Sequence, residues 1–168
     1  MQQTGSFLDA DALLRAAVQA EPILIEGMRS ALSAFDGCEF VVAPMKTKKR
    51  ILEKVKKDYH GIQYHKVVDV VRASAIFSYP TDLAAFIRKL SQPPDKHGGG
   101  MVVLRVKDRF NSPLSGGYRD MLVNVRVSGS HFVGELQLHL KKIKAVQAKA
   151  PRIYEVMRSF GWEEAHMM

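Results

Sequence analysis

The chain has 168 residues, 46% hydrophobic and 25% charged, the length and balance of a single soluble domain that buries its own core. Lys and Arg number 25 against 17 Asp and Glu, and the resulting charge of +8 favours polyanionic partners: nucleotide phosphates, RNA or an acidic protein surface. The lone cysteine, Cys38, excludes an intramolecular disulfide. No apolar run approaches the roughly 18–20 residues of a membrane span, and no signal-peptide pattern opens the chain, so an intracellular location (cytoplasm or organelle matrix, not secretion) is expected.

In chain order, residues 7–36 form a helical region. Leu13, Leu14, Ala17 and Val18 recur at helical spacing, as do Leu24, Met28, Leu32 and Phe35, and Pro22 predicts the start of a second helix there. Cys38 precedes a short apolar stretch and reads as a buried structural thiol. The basic segment from Lys46 to Tyr59 places Ile51 and Val55 four apart, a narrow apolar stripe on a helix otherwise covered by lysines. Its cations form either a solvated face or an anion-gripping helix start.

Asp69 stands before an apolar, β-branched run that predicts a buried strand, and serves there as a cap, an ion-pair partner or a metal ligand. Pro80-Thr81-Asp82 opens the next helix, with Thr81 or Asp82 as its cap region. Pro93-Pro94 and Gly98-Gly99-Gly100 bracket a loop. In the strand over 101–106, Val102, Leu104 and Val106 form one face and Val103 and Arg105 the other.

Two alternating strands follow. Met121, Val123, Val125 and Val127 face one way; Tyr118, Asp120, Asn124 and Arg126 face the other. A two-residue turn at Ser128-Gly129 pairs Leu122 with Glu135, Asp120 with Gln137 and Tyr118 with His139, which places Tyr118, Glu135 and Gln137 on one face. A basic helix over 140–161 closes the chain, interrupted by Pro151, with Ile153, Val156 and Phe160 packing inward. The whole, 1–168, reads as one α+β domain with its core at 38–140, a mixed sheet with helices packed on it.

No Walker loop, dinucleotide fingerprint or zinc motif is present. What remains is a pair of carboxylates, Asp69 and Glu135, able to hold Mg²⁺ against nucleotide phosphates, with Lys and Arg to neutralise charge and Tyr118 to stack a base. Tyr118 also suits a plain strand start after a glycine turn, and Glu135 a solvated strand carboxylate.

Over residues 44–145 these motifs resemble the RelA/SpoT-type synthetase domain. DVVRAS keeps Asp69, while Arg72 and Ser74 replace a Gly and an Arg of the family pattern. DRFNSPLSGGYRDML keeps Asp108, Pro113, Gly117, Tyr118 and Arg119, with Leu114 and Leu122 in place of Lys and His. ELQLHL keeps Glu135 and Gln137, with His139 in place of Arg. In the segment that grips ATP, Lys46 and Lys54 survive, while Pro44 and Arg50 stand where the family has Arg and Ser.

The resemblance implies a nucleotidyltransferase-like fold and transfer of pyrophosphate from ATP to the 3′-hydroxyl of GDP or GTP. It implies Mg²⁺ held by Asp69 and Glu135, the latter assisting the metal or deprotonating the hydroxyl. Lys46 and Lys54 would hold ATP phosphates, and Tyr118, Arg119 and Gln137 would contact nucleotide. The substitutions set beside this an alternative, a catalytically inactive member (a pseudoenzyme) acting as a protein-complex or RNA-associated subunit.

Overall fold

The computed structural model describes residues 1–3, 7–92, 100–114 and 117–147. Helix α1 (Ala10–Leu32) begins at Asp9, whose carboxylate accepts from the Ala12 amide at 2.7 Å. Its buried stripe runs from Ala10 through Leu13, Ala17, Ala20, Leu24 and Met28 to Leu32. Pro22 lies inside this helix and does not divide it, contrary to expectation. The carbonyl four residues earlier belongs to Val18, which is 56% exposed, so water can satisfy it on the outer face.

Strand β1 (Cys38–Ala43) is a strand that the apolar stretch at 38–43 did not announce as one. Helix α2 (Lys48–Asp58) is capped by Thr47 and buries only Ile51 and Val55, the expected stripe. A single 3₁₀ turn (Tyr64–Lys66) leads to β2 (Arg72–Phe77). Helix α3 (Pro80–Leu90) starts one step earlier than expected: Tyr79 is its N-cap without a side-chain bond, and Pro80 takes the first turn, where its missing N–H costs nothing. Strands β3 (Met101–Asp108), β4 (Met121–Val127) and β5 (Gly134–Leu140) follow, then helix α4 (Lys141–Gln147). The loop at 93–99, Ser115-Gly116 and the chain after 147, with Ile153, Val156 and Phe160, lie outside the described residues.

The five strands form one mixed sheet in the order β1-β2-β5-β4-β3, with β2 and β5 parallel and the other neighbours antiparallel. One face is apolar. Ala73, Ala75, Phe77, Leu136, Leu138, Val123 and Val125 meet Met28 and Leu32 of α1 and Leu83 and Phe86 of α3. Gly27 permits the close approach of α1 to the sheet, because a Cβ there would lie 2.3 Å from Val127 Cγ1. A second cluster joins the first half of α1 to Ile51, Val55, Val67, Val70, Val71 and Phe132. Cys38 is half-buried, and burial pushes its thiol up to about 11, the behaviour of an unreactive structural cysteine.

Two registers depart from expectation. The β4–β5 pairing sets Leu122 opposite Gln137 and Asn124 opposite Glu135, two residues away from the tight-hairpin register. The turn itself forms, with the Ser130 amide donating to the Val127 carbonyl at 3.0 Å and Gly129 at φ 83°. Beyond it the chain leaves β4, because Val133 is claimed by Gln3. The Gln3 side chain accepts from the Val133 amide (2.6 Å) and donates to the carbonyls of Val133 (3.0 Å) and Val67 (3.2 Å). A two-residue shift preserves parity, so the same side chains still share a face.

The second departure is in β3, where the register skips Leu104. Val103 pairs with Val125 on the apolar face and Arg105 with Asn124 on the other, although strict alternation had set them together.

Gln3 is buried and ties residue 67 to residue 133, so its truncation leaves three buried backbone groups without partners. Gln3→Ala is expected to lower the unfolding free energy by about 1–3 kcal/mol in urea denaturation. An unchanged midpoint would show that this bridge contributes nothing.

Candidate functional site

The polar face of the sheet opens into a cleft of about 850 Å³. β2 contributes Arg72, β5 Glu135, Gln137 and His139, β4 Leu122, and β3 Arg105 and Lys107. Lys54, Asp58 and Tyr59 border it from α2 and its C-cap, Asp69 from the segment before β2, and Arg109, Leu114 and Tyr118 from the β3–β4 connection; Lys144 and Gln147 reach it from α4. Six cationic side chains against three carboxylates line this cleft, so it carries the electrostatics of an anion site.

Asp69 is the most constrained of these groups. Its Oδ2 accepts from both Lys46 Nζ and Lys54 Nζ at 2.7 Å, while Oδ1 is buried without a partner. Burial favours the protonated acid, but the two ammonium groups outweigh it and hold the carboxyl below its ordinary range. Lys46 moves down as well, because burial disfavours its charge more than Asp69 restores it.

Glu135 is buried in the cleft floor, with Oε1 accepting from Gln137 Nε2 at 3.0 Å. Burial first, then the charge of Asp69, raises its proton affinity, against Lys54, Arg72 and the Gln137 bond. The two carboxylates therefore feel each other across one cleft. Lys107 is lowered by burial and by Arg105 and Arg109.

Tyr118 is held by a network that sequence reasoning did not single out. Its hydroxyl donates to Asp120 Oδ2 at 3.2 Å, and Arg109 Nη1 donates to both oxygens of Asp120 at 3.1 and 3.3 Å. Asp120 is fully buried, and burial raises its pKa despite Arg109. The spacing Arg109–Asp120 carries no motif; the β3–β4 register, which sets Asp108 opposite Met121, makes them neighbours. Gly117, at φ 75°, donates its amide to the Leu114 carbonyl at 3.0 Å.

The structure thus brings Lys54, Asp69, Tyr118, Glu135 and Gln137 to one cleft. Lys46 reaches it only through Asp69. Arg119 does not line it: this side chain is exposed and donates to the Phe110 carbonyl. Asp108 is also outside, organising the following turn by accepting from the amides of Phe110 (3.0 Å) and Asn111 (3.2 Å). Arg72, Lys107 and Arg109 point charge into the cleft, whereas Arg50 lies exposed on α2. Arg105, Lys144 and Gln147 are cleft residues that no sequence pattern indicated.

Asp69 and Glu135 are the residues that could hold a hard divalent cation, although among the described residues they form no cluster of three or more ligands. Asp69 Oδ1 is an unpartnered buried oxygen, and Glu135 lies close enough for the two charges to couple.

Removing the Asp69 charge leaves Lys46 and Lys54 facing each other across a part-buried space. Asp69→Asn is expected to destabilise the fold, and Lys54→Met to recover part of that loss. A double-mutant cycle should give a coupling of about 0.5–3 kcal/mol, whereas additive effects would contradict the shared ion cluster.

No protein-family model and no curated protein matches the chain. Solved structures do. The small alarmone synthetase 1 of Bacillus subtilis bound to its product pppGpp aligns with a TM-score of 0.63 at 16% identity, over 90% of this chain and 80% of that one. A GTP pyrophosphokinase family protein from Streptococcus pneumoniae aligns at 0.59 and 13%, over 94% and 79%. A chain in the complex between the type VI effector Tas1 and its immunity protein aligns at 0.54 and 24%, over 76% of this chain but 59% of that one, so this chain spans under two thirds of its length.

Proposed function

We propose, on the small alarmone synthetase fold that this chain shares, a divergent RelA/SpoT-like pyrophosphotransferase that moves pyrophosphate from ATP to the 3′-hydroxyl of GDP or GTP. The observation that carries this reading is the opening of Asp69 and Glu135 onto one cation-rich cleft beside Tyr118. Lys54, Arg72, Arg105 and Lys107 neutralise the transferring phosphates, supplying charge from positions other than those substituted by Leu114, Leu122 and His139. Tyr118, braced by Asp120, packs the base of the acceptor nucleotide.

Glu135, with its raised proton affinity, takes the proton of the attacking 3′-hydroxyl. The 3′-oxygen bonds to the β-phosphorus of ATP, the bond from that phosphorus to the bridging oxygen breaks, and AMP leaves. Asp69 would hold Mg²⁺, which supplies charge neutralisation to the phosphates when bound; if Glu135 joined the metal instead, it would not serve as the base.

A second reading, a non-catalytic subunit that binds RNA or a protein, draws on Lys49, Arg50, Lys56 and Lys57, exposed on α2 away from the cleft.

With Mg²⁺, labelled ATP and GDP or GTP, the wild-type chain is expected to yield a 3′-pyrophosphorylated nucleotide, and chelation to stop it. Glu135→Gln should lower the rate about 10²–10⁴-fold and leave nucleotide binding in place. No product from wild type, where a working synthetase is active, would overturn the enzymatic reading and favour the second.

A further inference from the structure

At the end of the cleft away from Asp69, two residues keep hydrogen-bonding capacity that no described residue uses. His139 is 3% exposed, and neither ring nitrogen has a partner among the described residues. Gln147 donates from Nε2 to the Arg119 carbonyl at 3.1 Å, which fixes the orientation of its amide, and its Oε1 is buried and unpartnered. Both residues line the cleft, as does Tyr118. Unpaired buried groups cost about 1–3 kcal/mol each, so three such atoms at one end of a cleft point to a ligand that pairs them.

The chemistry selects the ligand. A phosphate offers acceptors alone and would leave the Gln147 oxygen unpaired. The edge of a purine offers a ring or exocyclic N–H next to an acceptor, which pairs an amide oxygen and an imidazole together. Burial, with Lys144 and Arg109 nearby, pushes His139 down to about 4, so at neutral pH the ring carries one donor and one acceptor and no charge.

Position agrees. Glu135, Gln137 and His139 are alternate residues on one strand face, and His139 lies about 13 Å along β5 from Glu135 at 3.3 Å per residue. A nucleoside that lies along β5 with its 3′-hydroxyl at Glu135 would bring its base toward His139.

We propose that His139 and Gln147 read the hydrogen-bonding edge of the acceptor nucleotide's purine base. This rests on the pyrophosphotransfer reading for the direction in which the nucleotide lies.

Calorimetric titration of the full chain with GDP, ADP and base-free ribose 5-diphosphate tests it without requiring turnover. His139→Ala and Gln147→Ala are each expected to weaken the purine diphosphate that wild type prefers by roughly 3- to 10-fold, and to leave ribose 5-diphosphate unchanged. His139→Asn and Gln147→Leu, checked by thermal melting, serve where an alanine variant does not fold. Equal weakening of purine and base-free ligands would assign the pair to phosphate, and no weakening would make it structural; either result overturns this proposal alone. A wild-type chain that binds none of the three overturns both this proposal and the pyrophosphotransfer reading.

Discussion

The amide of Glu135 donates to the carbonyl of Val71 at 3.0 Å, and from that bond the parallel register of β2 and β5 follows: Arg72 beside Glu135, Ser74 beside Gln137, Ile76 beside His139. Every polar side chain of the cleft floor takes its place from this pairing. The opposite face carries Ala73, Ala75, Leu136 and Leu138 into the core against α1 and α3. A slip of one residue would exchange the two faces, sending Glu135 into the apolar layer and leucines into the cleft, with the desolvation of an unpaired carboxylate as the cost. The core therefore enforces the register, and the register builds the site.

The cleft is strongly charged and largely self-paired. Asp69 is shared by two lysines, and Asp120 is gripped by Arg109 while it holds Tyr118. These pairs keep buried charge from going uncompensated and hold side chains where a ligand will meet them, so little rearrangement is left to the binding event. Arg72, Arg105 and Lys107 add positive charge along β2 and β3. The surplus of cations is the property a polyphosphate would relieve, and it comes from strands and loops as much as from the lysine-rich helix. Most cations of α2 face solvent, so the run that dominates the sequence contributes one cation, Lys54, to the cleft wall.

Three expectations failed for reasons of tertiary origin. Pro22 was expected to begin a helix, yet α1 runs through it because the freed carbonyl is on the wet side. The hairpin was expected to close tightly, yet Gln3 takes the backbone groups of Val133 and shifts the pairing by two. Strict alternation set Arg105 with Val103, yet the bulge at Leu104 turns Arg105 into the cleft. The first two depend on a segment distant in sequence, or on which side of the molecule meets water.

By itself the sequence determined the types of the elements apart from β1, the α+β class with a mixed sheet, the apolar stripes of the α1 and α2 regions, and the grouping of Tyr118, Glu135 and Gln137. These follow from periodicity, and period-2 parity survives even a two-residue error in register. The two carboxylates Asp69 and Glu135 were paired from the residues themselves, and the motif resemblance gave that pair its role. Only the tertiary structure decided that Lys46 and Lys54 converge on one oxygen of Asp69, that Arg109 and Asp120 brace Tyr118, that Arg119 turns away, and that the His139 ring and the Gln147 oxygen lack partners among the described residues at the far end. Side-chain pairing across the cleft depends on distances between segments far apart in the chain, and a one-dimensional pattern holds no record of those distances.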